Sequence, residues 1–141
     1  MADLIDTFNV AGSGLAAERL RLQTIATNMA NARTTRTPEG GPYQRRVPVF
    51  RAVEIDPFGD ELERAVARVE VDGIQTDGRA PQRIYDPSHP DAGPDGYVLM
   101  PDINVMQEMV DMMTTSRTYE ANASAVEATR DMALRALEIG R

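Results

Sequence analysis

The sequence of 141 residues contains no cysteine, no lysine and no tryptophan, and it has a single histidine, His89. The lack of cysteine excludes disulfide bonds, thiolate metal sites and a cysteine nucleophile. A serine-histidine-aspartate mechanism would have to use His89, whose proline-flanked surroundings predict a solvated turn instead. We therefore expect no catalytic residue and no cofactor in this chain.

The charge balance excludes further classes of function, because 15 basic residues stand against 22 acidic ones and leave a formal net charge of -7. A negative chain repels phosphate backbones, so we predict no nucleic-acid partner. No run of about 18 apolar residues occurs, which predicts no membrane insertion. Asp3 and Asp6 stand where a secretory signal carries basic residues, and no apolar core follows, so we predict no cleaved signal peptide.

All nine prolines lie between Pro38 and Pro101, together with seven of the ten glycines. Since proline disrupts helix interiors, long helices are restricted to the two ends of the chain. The turn residues and aromatics of the middle favour short strands. The predicted fold class is mainly α with a small β insert: an N-terminal coiled-coil helix (1–35), a β-rich insert (36–101) and a long C-terminal helix (102–141).

Apolar residues of the N-terminal segment alternate at spacings of four and three residues, which marks a coiled-coil seam. Gly12 and Gly14 interrupt the pattern, and each interior glycine costs about 1 kcal/mol relative to alanine. We therefore predict that the helix proper runs from about Ser13 to Asn31. The seam positions are Leu4, Phe8, Ala11, Leu15, Leu22, Ile25 and Met29.

The C-terminal segment carries a second seam with the same spacing. Asn104 is a candidate N-cap, Gln107 completes a capping-box pattern, and Gly140 is a candidate terminator. The helix between them would be about 50 Å long, more than a compact domain of this size needs, so we predict an antiparallel coiled-coil pair that also meets neighbouring subunits. The seam positions are Val105, Met109, Met112, Ser116, Tyr119, Ala123, Val126, Ala133 and Leu137.

The insert predicts several short strands separated by turns. Pro48 restricts the first strand to a sheet edge. Asp72-Gly73 predicts a turn that ends the second strand, and Asp86–Pro90 predicts a turn between the last two. The predicted strands are 43–50, 65–71, 83–85 and 97–100.

Two residue groups allow both a structural and a functional interpretation. The segment from Asp91 to Asp102 loosely follows a calcium-binding loop, but Gly93 at the third position and Asp102 at the last do not fit, so we predict no metal site. A cluster of methionines in the C-terminal helix could form an adaptable binding groove, and we favour helical core because the cluster has seam spacing. Its members are Met106, Met109, Met112 and Met113.

Polar groups near the end of the first helix are open to two interpretations. Asn28 and Asn31 lie on one helix face and could either cap the helix or make hydrogen bonds between subunits. A basic stretch from Arg33 to Arg51 precedes an acidic one from Glu54 to Glu63. Because arginine makes planar bidentate bonds to carboxylates, we predict that this stretch pairs with acids within or between subunits.

Three separated blocks of the sequence resemble bacterial flagellar basal-body rod proteins. They occur in the same order and at the same spacing, and they extend over nearly the whole chain. The blocks are Phe8–Leu15, Asn28–Ala32 and Thr34–Tyr43 near the first helix, Tyr85–Asp91 and Gly96–Val98 in the insert, and Asn104–Val105, Glu108–Met112, Ser116–Asn122 and Ala136–Gly140 in the last helix.

The resemblance implies a non-enzymatic subunit that leaves the cell uncleaved through the flagellar type III export apparatus and joins a rod that crosses the periplasm. It implies other proximal and distal rod subunits, a rod-to-ring adaptor protein and the export apparatus as partners. It also places one group of residues at the helix-to-insert bend and in subunit contacts, and another on the packed C-terminal helix. The first group is Asn28, Asn31, Thr35, Gly40, Gly41, Pro42 and Tyr43, and the second is Arg117, Tyr119 and Asn122.

Together with six seam positions, these residues form the predicted subunit interface; the six are Leu15, Leu22, Ile25, Met109, Met112 and Leu137. Two alternatives stay open at this point. Another axial protein of the flagellum would share the N-terminal block but should lack the block from Tyr85 to Asp91 and this C-terminal ending. A coiled-coil adaptor from outside the flagellum would form a small closed oligomer.

The seams generate a first prediction about assembly. Changing Met109 or Leu137 to Asp should abolish assembly, because a carboxylate in an apolar seam loses its water without gaining a partner. The folded insert should be unaffected. Counting assembled rods in cells that carry either variant checks the prediction, and normal rods would contradict the seam assignment.

Overall fold

The computed structural model describes residues 2–54 and 67–139, with side chains from residue 6 to residue 138 within those ranges. It contains α1 (Ala2–Ala30), β1 (Arg46–Glu54), β2 (Ala67–Thr76), β3 (Gln82–Tyr85), β4 (Tyr97–Met100) and α2 (Val105–Ile139). A mainly helical chain with a small β insert was predicted, and this is confirmed. The side chain of Leu4, the acidic segment after Glu54 and the terminator Gly140 lie outside the described residues.

Helix α1 is continuous through Gly12-Ser13-Gly14, so the prediction that it begins near Ser13 was wrong. Ser13 joins this part of α1 to the sheet, because its Oγ donates to the Val10 carbonyl (2.7 Å) and accepts from the Val69 amide of β2 (3.0 Å). Gly14 faces α2, since a Cβ atom there would lie 3.5 Å from Asn122 Nδ2, an ordinary van der Waals distance.

The two helices pack side by side in an antiparallel arrangement. Asn28 of α1 contacts Glu108 of α2, and Gly14 of α1 lies beside Asn122 of α2. The two residues of α1 are 14 positions apart, and so are their partners in α2, but in the opposite chain direction. The same register brings residue 2 opposite residue 134. Because α2 has 35 residues and α1 has 29, the last turn of α2 extends beyond the start of α1.

The face of α2 that packs on α1 is largely polar and differs from the predicted seam. Four polar residues of α2 are buried or half-buried against α1 and recur every seven positions. Between them lie Met112, Val126 and Ala133, which belong to the predicted seam. Of the other predicted seam positions, Val105, Met109, Tyr119 and Leu137 are exposed in the single chain, whereas Ser116 and Ala123 are half-buried. The polar stripe that faces α1 and the predicted stripe that contains Met109 are displaced from each other by one residue position. The recurring inner positions are Glu108, Thr115, Asn122 and Thr129.

Strands β1 and β2 form a two-stranded antiparallel sheet that packs on α1, so α1 is the middle layer between α2 and this sheet. The register changes between Val49 and Phe50, and Asp72 is the extra residue of β2 at this β-bulge. A turn at Asp72-Gly73 was therefore a wrong prediction: β2 continues to Thr76 because the bulge absorbs the irregular residue.

Strands β3 and β4 form a separate antiparallel hairpin, paired from Gln82 with Met100 to Tyr85 with Tyr97. Its connection includes the predicted turn, in which the Asp86 carboxylate accepts from Ser88 and the Asp86 amide donates to the Gly96 carbonyl (3.0 Å). Gly96 has φ 74° and lies against the Tyr85 ring, so only glycine fits there.

The N-terminus of α2 confirms part of the capping prediction. Asn104 Oδ1 accepts hydrogen bonds from the backbone amides of Met106 (3.1 Å) and Gln107 (3.3 Å), as an N-cap does. The reciprocal half of the capping box is absent from this helix start, because Gln107 Nε2 donates to Asp111 Oδ1 (3.1 Å) instead.

Candidate assembly site

The link between α1 and β1 folds back onto the end of the first helix. Gly40 and Gly41 have φ values of 93° and 75°, which only glycine adopts without strain. The turn is closed by the Thr37 amide, which donates to the Gly41 carbonyl (2.9 Å), and the Tyr43 amide donates to the Thr34 carbonyl (3.0 Å). The glycine pair thereby brings the Tyr43 ring against α1.

Asn28 is the centre of the junction between the helices and the insert. It is 1% exposed. Its Oδ1 accepts from Tyr43 Oη (3.0 Å) and from the Arg46 amide (2.9 Å), while its Nδ2 donates to the Arg46 carbonyl (2.9 Å) and Glu108 Oε2 (3.3 Å). An amide side chain has two donor and two acceptor positions, so all four are satisfied here. Asn28 therefore joins α1, the link, β1 and α2.

Glu108 extends this network into a chain of charges. It is also 1% exposed. Its Oε1 accepts from Arg45 Nε (2.7 Å), and Arg45 Nη1 contacts Asp77 Oδ2 (3.1 Å) just after β2. A buried carboxylate is tolerated only with such partners. Burial alone would lower the pKa of Arg45, but its bonds to Glu108 and Asp77 outweigh that and raise it.

We call this set the junction network; it consists of Asn28, Tyr43, Arg45, Arg46, Asp77 and Glu108. Of these, sequence reasoning identified only Asn28 and Tyr43 as site residues. Acidic residues are common in the first turn of a helix, so nothing in the sequence indicated that Glu108 is buried. Arg45 was expected to pair with an acid, and it does so within the chain.

Asn31 and Thr35 have more local roles. Asn31 Nδ2 donates to the Thr27 carbonyl (2.9 Å) at the end of α1, which is the capping role, whereas Asn28 caps nothing. Thr35 Oγ1 donates to Asp91 Oδ2 (2.7 Å), so the link also contacts the hairpin connection. Both contacts are within the chain, and bonds from these residues to other subunits stay a prediction.

Four apolar side chains lie exposed on the side of α2 that faces away from α1. We call Met106, Met109, Val110 and Met113 the apolar stripe; their exposures reach 70% at Met106. The prediction that the methionine cluster is helical core was therefore wrong for three of its four members, and only Met112 is half-buried. The reason is the rotation of α2, which turns polar residues toward α1.

The remaining predicted interface residues divide by their burial. Ile25 is buried against neighbouring elements, and Asn122 packs beside Gly14. Leu15, Leu22 and Pro42 are half-buried. The exposed ones, free for contact with another chain, are Gly40, Gly41, Met109, Arg117, Tyr119 and Leu137.

Within residues 2–54 and 67–139, no group of three His, Asp or Glu side chains could hold a metal ion. His89 lies in the hairpin connection, where its Nδ1 accepts from the Asp91 amide (3.1 Å). Neither described helix is apolar over a length sufficient to cross a membrane.

Comparisons with known proteins agree with this architecture. Residues 8–36 match the family model described as flagella basal body rod protein, and residues 95–139 match the flagellar basal body rod FlgEFG protein C-terminal model. The flagellar basal-body rod protein FlgC of Borreliella burgdorferi is 39% identical over 96% of this chain and 97% of its own length. The chain belongs to the FlgC family. FlgC of Salmonella typhimurium is 37% identical over 98% of both chains, and FlgC of Bacillus subtilis is 35% identical over 96% of this chain and 97% of its own.

As a member of the FlgC family, the chain is a structural subunit of the flagellar basal-body rod and not an enzyme. The matches extend through the insert and the C-terminal ending. These are the two regions that we expected to differ in another axial protein of the flagellum. A coiled-coil adaptor from outside the flagellum does not account for them.

The junction network predicts a large difference between two asparagines. Asn28→Ala should lower the free energy of unfolding by about 3 kcal/mol or more, because it leaves buried partners on three segments unsatisfied and each costs about 1 to 3 kcal/mol. The matched control Asn31→Ala removes only bonds local to the helix end and should cost about 1 kcal/mol. Denaturant unfolding of the purified chain measures both, and equal losses would contradict the central role of Asn28.

Tyr43 predicts a dependence on alkaline pH. Burial raises the pKa of its hydroxyl above the ordinary 10.0, Arg46 opposes this rise and Glu108 adds to it. The Tyr43 hydroxyl therefore loses its proton at a lower pH in the unfolded chain than in the folded chain. The stability contributed by Tyr43 is present below pH 10.0 and is lost as the pH rises through the higher pKa of the folded state. Unfolding of the wild type between pH 9 and 12 should show a steeper loss than unfolding of Tyr43→Phe. Parallel curves would exclude the tyrosine as the cause.

Proposed function

We propose that this subunit joins its neighbours through the outward faces of its terminal helices, and that the helices of many subunits form a coiled-coil layer in a torque-transmitting rod across the periplasm. The observation that carries the proposal is the apolar stripe. A soluble protein that worked alone would gain stability by burying Met106, Met109 and Met113, which here stay exposed.

The position of the stripe suits a neighbouring helix. It lies opposite the face of α2 that packs on α1, so a second helix can cover it without disturbing the existing pair. Methionine side chains are flexible and polarisable, and they adapt to the surface of a partner. An additional helix would convert the exposed residues into a second seam at spacings of three and four residues.

The far end of α2 offers another surface. Leu134 and Leu137 are exposed, and Leu137 lies beyond the register of α1 with 68% of its surface accessible. A helix turn without a partner gains little from its apolar side chains in water. We expect that an adjacent subunit covers this end.

Torque transmission follows from the same arrangement. Each apolar contact is weak, but a rod with many interlocked seams distributes shear over all of them. The junction network links the insert to both helices through buried bonds, so a load on the helical layer also moves the insert. Movement of the insert relative to the helices would require several buried polar groups to lose their hydrogen-bonding partners at the same time.

The partners and the route of this subunit rest on the family resemblance. We propose contacts with other proximal and distal rod subunits and with a rod-to-ring adaptor protein, and delivery through the flagellar type III export apparatus without a cleaved signal peptide.

Electron cryotomography of basal bodies tests the proposal. Cells that lack this chain should show membrane rings without a rod, and wild-type protein should restore rods. Met113→Asp should fail to restore them, because the charge falls in the apolar stripe, whereas Thr118→Asp on a polar side of α2 should restore them. Rods in the deletion strain, or equal rescue by both variants, would contradict assembly through the stripe.

A further inference from the structure

Three arginines near the link have no acidic partner. Arg33, Arg36 and Arg46 are exposed, and within the part of the chain that the structure describes none has a carboxylate oxygen within 4.0 Å. We call them the basic patch. Between residues 31 and 104, every other described arginine pairs with a carboxylate; these are Arg45, Arg51, Arg68, Arg79 and Arg83.

The basic patch borders a cavity of about 400 Å³. Arg36, Arg46 and Tyr43 line it, and Glu39 is the only acidic residue among the described residues of the lining. The Arg46 guanidinium lies 5.7 Å from the centre of the Tyr43 ring, which orients it. Two guanidinium groups on a concave surface suit carboxylates, which they can bind in a planar, bidentate manner.

The outward side of α2 carries the complementary charge. Beyond the apolar stripe, four exposed carboxylates follow at spacings of seven, four and seven residues, which keeps them on one side of the helix. No basic side chain of the described residues lies within 4.0 Å of any of them. We call Glu120, Glu127, Asp131 and Glu138 the acidic stripe.

The basic patch and the acidic stripe are too far apart to neutralise each other within one subunit. The contact of Asn28 with Glu108 puts the link beside the start of α2. The stripe begins 12 residues further along the helix and ends 30 residues further, or about 18 to 45 Å at 1.5 Å per residue. Salt screens exposed charges over about 8 to 10 Å. Each subunit therefore presents the basic patch and the acidic stripe at separate places on its surface.

We propose that the basic patch of one copy docks on the acidic stripe of a second copy. The inference rests on the proposed function and names the partner of its helical surface. Patch and stripe differ, so the contact is head-to-tail, and each added copy presents a new free patch or stripe. The pairing also offsets the repulsion between chains that each carry a net charge of -7.

Disulfide crosslinking tests the contact, since the natural chain has no cysteine. Gln44→Cys stands in the lining of the cavity, and Ala128→Cys stands between two carboxylates of the stripe. Basal bodies purified from cells with the double variant should yield crosslinked dimers of this chain after mild oxidation. Each single variant should yield none.

Charge reversal in the double-cysteine chain decides the mechanism. Arg36→Glu with Arg46→Glu should reduce the crosslink at least tenfold through like-charge repulsion. Adding Glu127→Arg and Asp131→Arg should restore it, which also shows that the reversed chain still folds. Arg68→Glu with Arg83→Glu changes the net charge equally at exposed positions of the insert, outside both the patch and the stripe, and should leave the crosslink intact.

The outcomes separate this inference from the proposed function. Absence of the dimer from basal bodies that contain the chain, its persistence after reversal of the patch, or failure of the swap to restore it would each overturn the head-to-tail contact and leave the rod subunit assignment in place. Absence of the chain from basal bodies would overturn both.

Discussion

The junction network depends on a buried amide and a buried carboxylate that contact each other. Asn28 and Glu108 stand on different helices, and each is almost fully removed from water. Such groups are costly to bury unless every hydrogen-bonding position is used. Here the amide uses all four, with Tyr43, both backbone groups of Arg46 and Glu108 as partners. The remaining structure follows from this point, because the bonds specify the helix register and the start of the sheet together.

The distribution of polar and apolar groups on α2 is the reverse of that in an isolated globular helix. Its inner face presents Glu108, Thr115 and Asn122 to α1, whereas Met106 and Met113 lie exposed. Buried polar groups contribute specificity of register, while apolar area contributes most of the association free energy. The chain thus uses polar contacts to define its own geometry, and much of its apolar surface stays exposed in the single subunit. That division is the one expected of a subunit in a large assembly.

The same constraint explains the errors of prediction from sequence. Spacings of three and four residues identify an apolar stripe on a helix, but a neighbouring stripe one residue away obeys the same spacing. Met112, Val126 and Ala133 belong to the inner stripe, and Met109 and Leu137 do not. Glycine propensity suggested a break at Gly12 and Gly14, but the helix is continuous there, with Gly14 beside Asn122 of α2 and Ser13 bonded to Val69 of β2. The Asp72-Gly73 pair has the composition of a turn and instead lies at a bulge, since pairing with β1 continues on both sides.

The sequence by itself determined the element types, because prolines confined to the middle exclude long helices there and leave them at the two ends. It also determined the family, since its blocks lie in order along nearly the whole chain. Only the tertiary structure decided which stripe of α2 faces α1 and which acid is buried. The physical reason is that burial of Glu108 depends on partners 63 and 80 residues away in the chain, Arg45 and Asn28, and local spacing carries no information about such contacts.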